Sequence, residues 1–256
     1  VSVDCSSKRG EAGSDVFLLI GQSNMSGRGL SFDEALDAPN NPRILQWSHR
    51  ENTPIMAEEH LEHVDHEDET IRVGLGTSFG RAYVGTLPEK RSVLLVPAAE
   101  GGTALVNGPW SPSGGSLFDG AVQRLQDALE DNDGNCVAGV LWHQGERDAV
   151  NEESGKDYQS TLIELISTLR VRVPSASQAP FVMGEFTPAW TAANMEITAP
   201  ILAAIRSIPA QVNFTAVAPS ETITTTNNGI IHFDSAGLRQ YGQLYFNTLP
   251  DANGNS

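Results

Sequence analysis

A serine, a histidine, a pair of glycines and an amide–carboxylate pair stand in this 256-residue chain where acyl-transfer chemistry could use them. Ser23 lies in Gly21-Gln22-Ser23-Asn24-Met25, and Gly102 in Glu100-Gly101-Gly102-Thr103. Gln144 and Glu146 lie in His143-Gln144-Gly145-Glu146, and His232 precedes the last helical segment. A serine hydroxyl is a poor nucleophile until a neighbouring base takes its proton, and an imidazole is the natural base near neutral pH. Backbone N–H groups of Ser23 and Gly102, with the amide of Gln144, could then stabilise a tetrahedral oxyanion. Glycine at 102 would let the backbone approach the reacting carbonyl closely. Each residue also has a plain structural reading: Ser23 as a helix N-cap, His232 and His143 as hydrogen-bonded histidines, Gly101-Gly102 as a turn. It is their joint placement that favours chemistry.

That placement depends on five apolar runs, at residues 16–20, 92–98, 137–142, 180–186 and 212–218, which read as strands buried on both faces. Segments of helical period lie between and after them, at 76–87, 116–129, 156–173, 193–208 and 235–249. The alternation predicts an α/β fold, a doubly wound three-layer α/β/α sandwich around a parallel sheet with right-handed crossovers. Ligands in such sheets gather beyond the carboxyl ends of the strands. Ser23, Gly102, Gln144 and Glu146 each follow a strand, so they share one rim with His232. Residues 31–71 carry little periodicity, several prolines and an acidic block at 58–69, and read as an excursion over that rim. His60, His63 and His66, interleaved with Glu58, Glu59, Glu62, Asp65 and Glu67, match no known metal-ligand pattern and read as a solvated acidic loop. Trp47, Trp110 and Trp190 could stack on a sugar ring or simply pack.

At 39% apolar and 19% charged, the chain fits one domain over residues 1–256, with residues 1–15 as an N-terminal tail. Its net charge is 16 − 32 = −16, and only Lys8, Lys90 and Lys156 are lysines, which argues against nucleic acid and anionic membrane as partners. No apolar run approaches the ~20 residues of a membrane span. Cys5 and Cys136 lack metal-ligand spacing and are either buried thiols or one disulfide. The numbering opens at Val1 without a basic-then-apolar leader, as in a processed or trimmed chain, and a secreted or periplasmic location is expected.

The runs Ile20-Gly21-Gln22-Ser23-Asn24-Met25-Ser26-Gly27, Glu100-Gly101-Gly102-Thr103, Trp142-His143-Gln144-Gly145-Glu146-Arg147-Asp148 and His232-Phe233-Asp234-Ser235-Ala236-Gly237 resemble the motif set of the SGNH hydrolase superfamily. More closely, they are similar to its sialate O-acetylesterase and acetylxylan esterase branch, carbohydrate esterase family six, as is the glycine turn Val73-Gly74-Leu75-Gly76-Thr77-Ser78-Phe79. The resemblance implies a flavodoxin-like, five-stranded parallel sheet in the order 2-1-3-4-5. It implies a serine esterase that deacetylates acetylated carbohydrate through an acetyl-enzyme, with no metal or organic cofactor. Ser23 would be nucleophile, His232 base, Ser23, Gly102 and Gln144 oxyanion donors, and Gln22 and Asn24 substrate contacts.

One position departs from the pattern. The aspartate usual three residues before the histidine is Gly229 here. The neutral amides of Asn227 and Asn228 cannot stabilise an imidazolium as a carboxylate does. Glu146 is therefore expected to be the acid, as family-six relatives use it, with Asp234 second and more plausibly a helix cap. The missing aspartate also motivates a rival, a non-catalytic carbohydrate-binding protein on a hydrolase scaffold, and a general short-chain carboxylesterase is the rival among enzymes. In the implied strand order Cys5 and Cys136 both fall at the amino edge, where a bond would tie down the N-terminal tail.

Overall fold

The run of five apolar residues after Asp15 becomes the central strand of a seven-stranded sheet, in a computed structural model that describes residues 5–65, 71–227 and 229–254. The strands are β1 (Gly13–Gly21), β2 (Ile44–Ser48), β3 (Thr53–Met56), β4 (Arg91–Pro97), β5 (Cys136–His143), β6 (Phe181–Gly184) and β7 (Thr215–Ala218), in the order β3-β2-β4-β1-β5-β6-β7. All neighbours pair parallel except β2 and β3, which are antiparallel. The five expected strands stand in the expected order. The expected count of five is corrected to seven, because β2 and β3 form a hairpin at the sheet edge inside the stretch read as a rim excursion. Gln46 and Ser48 interrupt the apolar run of β2, and β3 is four residues long and holds Pro54, which only an edge strand tolerates.

The helices are α1 (Ser23–Ser26), α2 (Glu34–Asp37), α3 (Gly76–Val84), α4 (Ser116–Glu130), α5 (Glu146–Val150), α6 (Gly155–Arg172), α7 (Pro188–Ala193), α8 (Met195–Ser207) and α9 (Ser235–Gly254). Val16, Leu18 and Ile20 of β1 pack with apolar side chains of α4, α6 and α8 on one face. Phe17 and Leu19 face the other way, toward α3 and α9. Each of these five β1 side chains is at most 1% exposed, worth roughly 1.5–3 kcal/mol apiece for the larger ones. A slip of one residue would exchange the two sets, so burial on both faces fixes the register that delivers Ser23 to the rim. The helix expected at 193–208 is α8, and a separate short helix, α7, precedes it. Thr187 caps α7 by accepting from Trp190 N with Pro188 at the opening position, and the chain breaks at Asn194.

At the amino ends of the strands Cys5 and Cys136 form a disulfide with Cα atoms 5.4 Å apart, so the two thiols left open by the sequence are one bond. Residues 1–4 of the expected tail lie outside the described residues. Among the described residues, no helix is long and apolar enough to cross a membrane.

Candidate active site

At Gly21 the chain leaves β1 and turns directly into α1, whose first residue is Ser23. His232 arrives from the loop before α9, and its Nε2 lies 2.9 Å from Ser23 Oγ. Asn24 makes this meeting possible. Its Nδ2 donates to Ile231 O at 3.1 Å and its Oδ1 accepts from Phe233 N at 3.2 Å, so one side chain holds the backbone on both sides of His232. The same Nδ2 donates to Glu146 Oε1 at 2.7 Å. The expectation that Asn24 contacts substrate is corrected on this point, because the side chain is fully buried and both its polar atoms are engaged inside the protein. Gln22 does line the cavity beside Ser23, with Oε1 accepting from Arg147 N at 3.2 Å.

That cavity has a volume of about 350 Å³ and is lined by Ser23, His232, Gly101, Gly102, Glu146, Arg147 and Arg28, among others. Among the described residues, neither Ser23 N–H nor Gly102 N–H donates to a protein acceptor. Gly102 has φ +73°, a backbone state that side chains disfavour. Its carbonyl accepts from Arg147 Nε at 2.8 Å. Gln144 is placed differently from the expectation. It is fully buried behind the cavity wall, and its Nε2 donates to Thr103 O at 2.9 Å and Asp148 Oδ2 at 2.5 Å. With both amide hydrogens so engaged, Gln144 has none for an oxyanion, and its role as donor is corrected to one of support. Asp148 in turn accepts from Leu105 N and Val106 N, so Gln144 and Asp148 together pin the segment that follows Gly102.

Glu146 is 1% exposed. Burial alone would raise its pKa, but the adjacent His143 imidazole and the Asn24 hydrogen bond prevail and hold it below the ordinary value. His143 Nε2 lies 3.5 Å from Glu146 Oε1, and its Nδ1 lies 3.1 Å from the Tyr245 hydroxyl. Glu146 Oε2 is buried without a hydrogen-bond partner. For His232, burial lowers the pKa, the charge of Glu146 raises it and that of Arg28 lowers it again, leaving it below the ordinary histidine value. Among the described residues no hydrogen bond joins Glu146 to His232, so the carboxylate reaches the imidazole through its field. Asp234 caps α9, accepting from Gly237 N at 2.8 Å, and Asn227 bonds Arg28 O. Asn228 lies outside the described residues.

Sequence reasoning left Arg28 and Arg147 out of the site. Arg147 follows the Gln-Gly-Glu run directly, and an arginine beside a motif in so acidic a chain was the signal available. Trp47, Trp110 and Trp190 are all buried and serve as packing. His63 is buried too, its Nδ1 accepting from Ala99 N, while His66 and Glu67 lie outside the described residues.

Residues 13–250 match a family model described as carbohydrate esterase, sialic acid-specific acetylesterase. A probable carbohydrate esterase of Arabidopsis thaliana is 33% identical over 171 residues, which cover 60% of this chain and 62% of that protein, less than two thirds of its length. A probable 9-O-acetyl-N-acetylneuraminic acid deacetylase of Escherichia coli (strain K12) is 24% identical over 221 residues, 68% of each chain. The crystal structure of NanS shares the fold with a TM-score of 0.77 at 18% identity, over 94% of this chain and 97% of that one.

Proposed function

The chain belongs to the family of carbohydrate esterases, sialic acid-specific acetylesterases, that residues 13–250 match, and from that membership we propose that it removes O-acetyl groups from carbohydrate as a serine hydrolase. The observation that carries the reading is the 2.9 Å contact between His232 Nε2 and Ser23 Oγ on a cavity edged by two unengaged backbone N–H groups. Neutral His232 takes the proton from Ser23 Oγ as that oxygen bonds to the acetyl carbonyl carbon. The carbonyl oxygen becomes an oxyanion facing Ser23 N–H and Gly102 N–H. His232 then gives its proton to the departing sugar oxygen, leaving acetyl on Ser23. In the second half a water loses a proton to His232 and attacks the acetyl carbon, and Ser23 recovers the proton as acetate leaves. Glu146, held as a carboxylate, offsets the charge of the imidazolium at each stage.

The cavity mouth favours an acetylated sugar acid over a neutral xylan chain. Arg147 is exposed there, and among the described residues no carboxylate forms an ion pair with it, in a chain of net charge −16. A local cation in an acidic protein selects a carboxylate-bearing ligand against the general repulsion. The name of the Escherichia coli relative, a deacetylase of an acidic sugar, points the same way. Acetate release from O-acetyl sialic acid, acetylated xylan and p-nitrophenyl acetate tests the reading. The sugar acid should give the highest kcat/KM, and Arg147→Ala should weaken that preference. A higher kcat/KM on p-nitrophenyl acetate than on either sugar would favour a general short-chain carboxylesterase, and no turnover of any ester a binding protein.

A further inference from the structure

Part of the acidic stretch that reads as a solvated loop lies against the backbone that presents Gly102. Ala99 N donates to His63 Nδ1 at 3.0 Å, Val64 N to Ala99 O at 3.0 Å, and Gly101 N to Asp65 Oδ2 at 2.7 Å. From the far side Arg147 Nε holds Gly102 O. Gly101 N–H and Gly102 O, the groups that flank the Gly101–Gly102 peptide, are thus fixed, and Gly102 N–H lies between them on the cavity lining with no protein acceptor among the described residues. Asp65 is itself paired with Arg28, whose Nη1 donates to Ser26 Oγ at 2.8 Å and Gly27 O at 2.7 Å, in and just after the turn that carries Ser23. A Cβ at position 101 would collide with the Arg28 guanidinium and stand 2.9 Å from Asp65 Oδ2, so a side chain there would displace the Arg28–Asp65 pair.

We propose that Asp65 is a positioning residue for the oxyanion donor, fixing Gly101 N–H and coupling, through Arg28, the turn of Gly102 to the turn of Ser23. The proposal rests on the serine-hydrolase reading above. An oxyanion donor matters most when charge has developed on the carbonyl oxygen, so a misaimed Gly102 N–H lowers kcat while leaving KM nearly unchanged. A carboxylate that only stabilised the loop would change thermal stability and leave kcat alone.

The test compares wild type, Asp65→Ala and Asp65→Asn for kcat and KM on p-nitrophenyl acetate, for Tm, and for inhibition by methylboronic acid. That probe adds to a serine oxygen and places a tetrahedral oxygen where the oxyanion would be. Losing one oxyanion donor outright costs roughly 10²–10³ in kcat, so misaiming one in Asp65→Ala should cost roughly 10–100-fold, with boronate affinity falling in step. Asp65→Asn keeps a carbonyl oxygen for Gly101 N–H and exchanges a charged for a neutral acceptor, so its loss should be about threefold to tenfold. If Asp65→Ala does not fold, the asparagine variant is read alone against that range. Unchanged kcat and boronate affinity in a folded variant would overturn the proposal, as would an asparagine variant no better than alanine. Wild-type protein that neither turns over the ester nor binds the boronate would instead bring down the serine-hydrolase reading itself.

Discussion

The two ends of β1 and β5 are built on opposite plans. At the amino end, where Asp15 pairs with Cys136, Arg91 is fully buried and its guanidinium donates to Asp15 Oδ1 at 2.7 Å, Lys8 O at 3.0 Å and Gly134 O at 3.2 Å. Tyr83 adds a bond to Asp15 Oδ2, and the disulfide closes the same corner. At the carboxyl end, where Gly21 pairs with His143, two backbone N–H groups and one oxygen of buried Glu146 have no protein hydrogen-bond partner among the described residues. Leaving such a group unmade costs about 1–3 kcal/mol when it is buried. The difference teaches that this sheet concentrates satisfied polar contacts where it must hold and leaves open hydrogen-bonding capacity where charge must develop.

Four variants probe that contrast. Ser23→Ala should lower kcat by roughly 10³-fold or more with Tm unchanged, since the hydroxyl forms the acyl bond and adds little packing. Replacing both cysteines, Cys5→Ala with Cys136→Ala, should do the reverse, costing about 2–5 kcal/mol of stability by denaturant unfolding while kcat at low temperature stays as it was. A large loss of kcat there would show that the two ends are coupled.

Glu146→Gln should fall between them, lowering kcat by roughly 10²-fold because the imidazolium loses its counter-charge. The charge of Glu146 raises the pKa of His232, so removing it should also move the acid limb of the kcat/KM profile to lower pH. A limb that moves upward would contradict the field effect. The smallest effect is expected at Glu59, half-buried, bonded to Thr77 and Gly74 N, and pushed up to about 7 mainly by desolvation. A carboxyl that holds its proton more tightly when folded contributes stability below its unfolded pKa and loses it as pH rises through the folded one. Tm should therefore fall between about pH 4.5 and about pH 7, and Glu59→Gln should flatten that slope. An unaltered slope would assign it to other groups.

The strands that carry the site were legible because unbroken apolar runs such as residues 16–20 have few alternatives to double burial. The edge hairpin was not, since Gln46 and Pro54 break the pattern that marks a core strand. Among the site residues, type and position brought Ser23 and His232 to one rim, yet burial separated residues that looked alike in the motifs. Gln22 reaches the cavity, while Asn24 two positions later is sealed inside and bonds both neighbours of His232. Gln144 and Asp65 show the same limit, because which hydrogen bonds an amide or carboxylate makes depends on chain segments brought together only by folding. Gly229 marked the absence of an aspartate in the sequence, whereas the reach of Glu146 toward His232 required the fold.

The central claim, acyl transfer through Ser23, is tested most directly by acid-quenching the protein during turnover of an acetyl ester and mapping the trapped group by peptide mass. The account predicts one acetyl group on the peptide that contains Ser23, lost on chase without substrate and absent from Ser23→Ala. Full turnover with no acetyl on that peptide, or with acetyl on another residue, would contradict it.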